Sequence, residues 1–222
     1  MENNFNFDAF ADEAEFLEHL KGYAKQGDLT MQNLLGFCYY VGYGCEESPK
    51  KAIQWWTKAA EQGDVCSQRC IGGCYYNGNM GVRRNYTKAV YWLEKAALQD
   101  DHESQLMLGE CYSLGMGCDK DLETAAYWYT KAAEMGNNEA QYRLGVCYYN
   151  GEGVRKSRKR AFEYFNIAAE GGHPEAQYQL ANFYLHGCVV KADTMKAWVL
   201  YNMAAEQGHE EAQKIVAEIL ND

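Results

Sequence analysis

Proline is almost missing from this sequence, with two residues in 222. So few chain breakers disfavour a linker-rich or disordered chain. No run of 18 apolar residues occurs, which leaves no candidate membrane-spanning helix. The start, MENNFNFDAFADEAEF, is acidic and has neither a positive stretch nor a long apolar core, so a secretory leader is not expected. Positive charge is in deficit: 21 Lys and Arg stand against 31 Asp and Glu, a net charge of −10. Nucleic-acid binding relies on cations that release counterions from phosphates, and anionic lipid surfaces attract the same groups. The expectation is therefore no nucleic acid, no membrane, and a protein partner whose own surface is basic.

Catalytic signatures are missing as well. There is no GxSxG, HExxH or P-loop pattern, and no Ser/His/Asp arrangement stands out, so no catalytic residue is assigned. Cys66, Cys70 and Cys74 share one helical face by spacing, and three thiolates there would suit a soft metal. No CxxC pair and no nearby His accompanies them, so neither a metal site nor a cofactor is expected. The nine cysteines are odd in number, which excludes complete pairing within one chain. The simplest reading is a reducing, cytoplasmic environment with buried thiols. Cys38/Cys45 and Cys111/Cys118 repeat a spacing of seven that admits a disulfide from helix end to loop.

What is present is a repeat. The segments LLGFCYYVGYGC, CIGGCYYNGNMGV, MLGECYSLGMGC, RLGVCYYNGEGV and QLANFYLHGCVV align on Gly36, Gly72, Gly109, Gly145 and Ala181, at spacings of 36, 37, 36 and 36. The extra residue falls at Asn79–Met80, in a loop. A tyrosine follows three positions later (Tyr39, Tyr75, Tyr112, Tyr148, Tyr184) and a glutamine lies four before (Gln32, Gln68, Gln105, Gln141, Gln177, and again Gln213). An alanine pair closes each unit, from Ala59–Ala60 to Ala204–Ala205.

Each unit reads as two helices. In the fourth, Ala140, Leu144, Cys147 and Tyr148 form one apolar face of a first helix from Glu139 to Asn150, and Gly151 and Gly153 stop it. Ser48, Asn85, Asp121, Ser157 and Asp193 are expected to cap the second helices, and Pro49 and Pro174 each follow a cap position, where a missing N–H costs nothing. The small columns should allow close helix approach, with Trp55, Trp92 and Trp128 filling the spaces between pairs. His102, His173 and His209 recur near the starts of first helices. One pair cannot bury its apolar side alone, so the pairs must stack.

The predicted architecture is all-α: a right-handed α-α superhelix, or solenoid, of five helix pairs at residues 28–63, 64–100, 101–136, 137–172 and 173–208. Capping segments are expected at 1–27, with a helix from about Asp8 to Ala24, and at 209–222, with a helix from about Glu210 to Leu220. One continuous array is the economical reading.

The unit from Ala140 to Gly172, AQYRLGVCYYNGEGV followed by AFEYFNIAAEGG, resembles the Sel1-like repeat, a relative of the tetratricopeptide repeat. The likeness covers about residues 28 to 220. Asp100, Ala181 and Val189 depart from its glycines, and Val189 puts the geometry of the last loop in question. The resemblance implies a curved solenoid whose first helices line a concave face, and a non-catalytic adaptor that binds a partner protein there. Cysteine-rich members carry disulfides in the alanine columns, where this chain has no cysteine. By analogy with the tetratricopeptide repeat, the concave residues are Asn33, Phe37, Tyr40, Arg69, Tyr76, Asn77, Glu110, Ser113, Tyr142, Tyr149, Asn150, Tyr178, Asn182 and His186. An immunity protein that masks a toxin's basic site is the alternative, and a hydrolase the remote one.

One stretch breaks the pattern. Arg155, Lys156, Arg158, Lys159 and Arg160 place five cations at the start of a helix, where the dipole disfavours them. They are a candidate docking patch for an acidic partner, set against the plainer reading of a solvated loop.

Overall fold

The structure is a computed structural model that describes residues 12–79 and 81–221. Among these residues every regular element is a helix: α1 (Glu13–Lys25), α2 (Leu29–Val41), α3 (Pro49–Glu61), α4 (Val65–Asn77), α5 (Tyr86–Ala97), α6 (His102–Leu114), α7 (Leu122–Glu134), α8 (Asn138–Asn150), α9 (Arg158–Glu170), α10 (Pro174–His186), α11 (Thr194–Glu206) and α12 (Glu210–Asn221). Residues 8–11 of the expected first helix lie outside the described residues, and Asp12 caps α1 through Glu15 N–H. The chain divides into two compact units, one ending at Ser104 and one beginning at Gln105, inside α6.

The caps follow the sequence closely. Asn85, Asp121, Ser157 and Asp193 each accept from a backbone N–H of the second helix they precede. Ser48 occupies the cap position of α3 but makes no side-chain bond. Pro49 and Pro174 sit in the first turns of α3 and α10. In all five repeats the cap residue's own N–H bonds back to the carbonyl of the tyrosine column, Ser48 to Tyr39, Asn85 to Tyr75, Asp121 to Tyr112, Ser157 to Tyr148 and Asp193 to Tyr184, at 2.7–2.9 Å. That bond closes the loop between the two helices of each pair.

The departures from the glycine columns resolve differently. Asp100 takes φ +61°, the left-handed value that glycine adopts at this column in the other repeats, and is the one non-glycine to do so among the described residues. Aspartate tolerates that region. Val189 stands where Gly44, Gly81, Gly117 and Gly153 have positive φ, and it does not share it. A β-branched side chain makes that conformation costly, so the last loop turns by another route and still returns Asp193 to Tyr184.

The small column is a row of sockets. A Cβ on Gly36 would meet Trp56 at 2.5 Å, one on Gly72 would meet Leu93 at 2.8 Å, and one on Gly109 would meet Tyr129 at 2.6 Å. Ala181 and Tyr201 pack together in the last pair. The residues that fill these sockets are thus Trp56, Leu93, Tyr129, Phe165 and Tyr201, all buried; in the first three pairs each stands one position after Trp55, Trp92 or Trp128. A helix turns by 100° per residue, so the neighbouring column points elsewhere: Trp55 and Trp92 are half-buried against the first unit's core and Trp128 is buried.

The glutamine column ties successive pairs together. Gln32, Gln68, Gln141, Gln177 and Gln213 each donate to the carbonyl of the second alanine of the preceding pair, or its equivalent Ala24, at 3.0–3.3 Å. Gln62, Gln99 and Gln207 in turn donate to the Oε1 of Gln32, Gln68 and Gln177. Met135 and Gly171 hold that place in the third and fourth repeats, and the buried Oε1 of Gln141, which Gly171 would serve, is left unpaired.

Candidate functional site

The core takes the cysteine column first. Cys38, Cys74, Cys111 and Cys147 are buried, and burial pushes their thiols up to about 11, 11, 12 and 11. Cys70 rises to about 11 for the same reason, while Cys66 is exposed. Thiols that resist ionisation are poor nucleophiles and poor metal ligands, and no metal-binding cluster occurs among the described residues. Cys45 Sγ lies 3.9 Å from the Cys38 carbonyl and Cys118 Sγ lies 3.8 Å from that of Met116; no disulfide joins either pair.

The histidines belong to the frame. His173 and His209 occupy the N-cap position of α10 and α12, accepting at Nδ1 from Ala176 and Ala212 N–H. They replace Asp28, Asp64 and Asn137, the caps of α2, α4 and α8. His102 is one residue later, the first residue of α6, so it does not share their register. The His173 Nε2 meets Glu139 Oε2 at 2.8 Å. That bond, with Arg143 beside it at 2.6 Å, holds the Glu139 carboxyl below its ordinary range. Arg143 also reaches Glu110 at 3.3 Å. This chain of charges runs along the first helices of the second unit and went unread in the sequence. The spacing of His173 from Asn137, one repeat length, is the signal that would have found it.

In the first unit, Phe37 and Tyr40 stand 50% and 38% exposed on α2, with their rings 6.2 Å apart and Tyr40 against Trp56 at 5.8 Å. The Asn33 side-chain amide is spent on Ser67 Oγ, and its backbone carbonyl accepts from Trp56 Nε1. Arg69 pairs with Asp101 at 3.3 Å and with Glu103. Tyr76 packs edge-on to Tyr86, and the Asn77 carbonyl accepts from Arg84.

In the second unit the predicted tyrosines divide. Tyr142 stacks on His173 at 4.6 Å and Tyr178 on His209 at 4.5 Å, both half-buried between helices. They are packing residues first, and burial raises the Tyr142 hydroxyl pKa. Ser113 accepts from the Tyr129 hydroxyl at 3.3 Å and Asn182 from that of Tyr201 at 2.7 Å. Tyr149 is exposed, edge-on to Phe183 at 6.0 Å. The Asn150 amide donates to Glu152. Tyr149, Asn182 and His186 converge on one small pocket with Arg158, Gln179, Phe183 and Cys188. Four residues singled out in the sequence therefore meet at the ends of α8 and α10 and the start of α9.

The basic stretch also divides. Arg160 lies over the Tyr148 ring at 5.2 Å and donates to its hydroxyl at 2.8 Å. Lys51, Lys88 and Lys196 lie over Tyr39, Tyr75 and Tyr184 in the same way, so Arg160 is part of the repeat. Arg155, Lys156, Arg158 and Lys159 are exposed, and none of them lies over an aromatic ring among the described residues. A further feature went unnoticed in the sequence: Met195, Val199 and Met203 expose one stripe of α11 along an apolar groove with Leu180, Tyr184 and Leu200.

The sequence matches the Sel1 repeat profile over residues 30–64, 71–101, 102–137, 138–173 and 174–209. A search of curated proteins gave no match. Among solved structures, a protective antigen of uropathogenic Escherichia coli strains that displays an SLR fold is 33% identical, with a TM-score of 0.88 over 94% of this chain. The chain spans 44% of that protein's length. A Sel1 repeat protein from Oxalobacter formigenes is 34% identical, with a TM-score of 0.81 over 95% of this chain and 88% of its own.

Proposed function

The chain belongs to the Sel1 repeat family, and from that membership we propose that it works as a non-catalytic adaptor that binds a partner protein on the face of its first helices. Sel1 repeats are generally protein-interaction modules and generally non-catalytic. No helix among the described residues is long and apolar enough to cross a membrane.

The observation that carries the reading is the convergence of Tyr149, Asn182 and His186 on one pocket in the second unit. An exposed tyrosine beside an amide and an imidazole offers a large contact area with polar ends and little rotamer entropy to lose, which suits an interface. Phe37 and Tyr40 offer a comparable exposed pair on α2 of the first unit.

The test begins with a partner captured from native lysate and identified by mass spectrometry. Binding is then measured for Tyr149→Ala/His186→Ala and for Tyr91→Ala/Tyr127→Ala, the latter pair being exposed on second helices. The first pair is expected to weaken binding at least tenfold, with helicity unchanged, and the second pair to leave it intact. Equal affinity for both would reject the first-helix face. Tyr142 and Tyr178 are unsuitable probes, because their loss would also remove the stacks on His173 and His209.

A further inference from the structure

The first turn of α9 carries no acidic residue, and its cap, Ser157, holds the Arg160 N–H at 3.3 Å. Around this cap, at the two positions before and the two after, stand Arg155, Lys156, Arg158 and Lys159, all exposed. The same four positions read Glu46, Glu47, Pro49, Lys50 in the first repeat, Arg83, Arg84, Tyr86, Thr87 in the second, Asp119, Lys120, Leu122, Glu123 in the third and Lys191, Ala192, Thr194, Met195 in the fifth. The repeat therefore asks for no charge here, and only the fourth loop has four cations.

None of the four pairs with a carboxylate among the described residues, although the chain has ten more acidic than basic groups. Cations at a helix N-terminus oppose its dipole and one another, so the arrangement costs stability and returns no internal contact. Beside it is a cleft of about 620 Å³ lined by Tyr148, Val154, Arg155, Lys156, Ser157 and Arg160.

We propose that Arg155, Lys156, Arg158 and Lys159 form a docking site for a short acidic peptide segment of a partner protein. Charge complementarity selects the ligand. Without these four the chain's net charge of −10 becomes −14, so an extended polyanion, whether nucleic acid or a lipid surface, would be repelled wherever it ran beyond the loop. A few Asp or Glu side chains reach no further than the loop. Within about a Debye length, ~8 Å at physiological salt, the four cations can meet them. The proposal shares only Arg158 with the first-helix reading, and the variant Arg155→Gln/Lys156→Gln, which keeps Arg158, tells the two apart.

The test uses fluorescein-labelled tetraglutamate with the full chain, read by fluorescence anisotropy at low and at physiological salt. Binding is expected, weakening with salt, and falling at least tenfold in Arg155→Gln/Lys156→Gln/Arg158→Gln/Lys159→Gln. The double variant Arg155→Gln/Lys156→Gln should fall part of the way. The quadruple variant should also melt at or above the wild-type temperature, because the helix start is relieved of like charge. Two further arms use a four-residue oligothymidylate and vesicles containing phosphatidylserine. Tetraglutamate binding that is absent, or equal in wild type and both variants, would overturn the proposal. So would tighter patch-dependent binding of the oligonucleotide or the vesicles.

Discussion

The ring of Phe165 lies where a side chain on Gly145 would stand: a Cβ there would come within 2.7 Å of its Cδ1 and Cε1. The aromatic ring needs the glycine, and the helix pair α8–α9 closes around that contact. Gly145→Ala is therefore expected to destabilise the protein by about 1–3 kcal/mol through overpacking. This holds although alanine is the better helix former by up to ~1 kcal/mol. Gly73, in α4, is the control, because a Cβ there meets nothing within 4 Å. Gly73→Ala should stabilise by roughly 0.5–1 kcal/mol. Urea denaturation of the two variants checks both signs, and a stabilising Gly145→Ala would show that the socket is not filled as described.

The glutamine column predicts a second effect. Gln177 donates to the Ala169 carbonyl and accepts from Gln207. Gln177→Leu removes both bonds and leaves the Gln207 amide short of an acceptor. The expected cost is about 1–2 kcal/mol, read as a lowered midpoint in thermal or urea melts. No loss would mean that the ladder orders the repeats without holding them.

Glu139 links stability to pH. Its carboxyl pKa lies below the ordinary 4.5, held down first by the hydrogen bond with His173 and then by Arg143. The folded pKa is the lower one, so the ionised group stabilises the fold above about 4.5 and the contribution disappears as pH falls through the folded value. The side chain is partly solvated, which screens the effect. Glu139→Gln should cost about 0.5–1 kcal/mol near neutrality. The difference from wild type should close in acid. A gap of the same size at both ends of a pH series of urea melts would contradict this.

The thiols should react in the order of their burial. Under native conditions, iodoacetamide is expected to modify Cys66 and Cys188, which are exposed, well before Cys38, Cys74, Cys111 and Cys147. These four are buried and their thiols are raised to about 11 or 12. Peptide mass mapping against time checks the order, and early labelling of Cys147 would place it outside the core.

The repeat, the helix pairs and their caps were legible in the sequence because they rest on local rules. A glycine that stops a helix, an Asp or Asn that caps one, and an apolar face at i, i+3, i+4 act within a few residues. The order in which Gly36, Gly72, Gly109 and Gly145 recur fixes them without reference to anything distant. What the side chains do across helices was decided only by tertiary structure. Which residue fills each socket depends on a rotation between two packed helices, and only the packed structure picks Trp56 and Phe165 as the occupants. Tyr142 and Tyr149 occupy the same first helix, yet one stacks on His173 and the other faces solvent. Arg160 and Arg158 are two residues apart, yet one lies on Tyr148 and the other opens toward His186. Sequence periodicity places a residue on a face, but whether that face has a neighbour is settled only once the helices pack against one another.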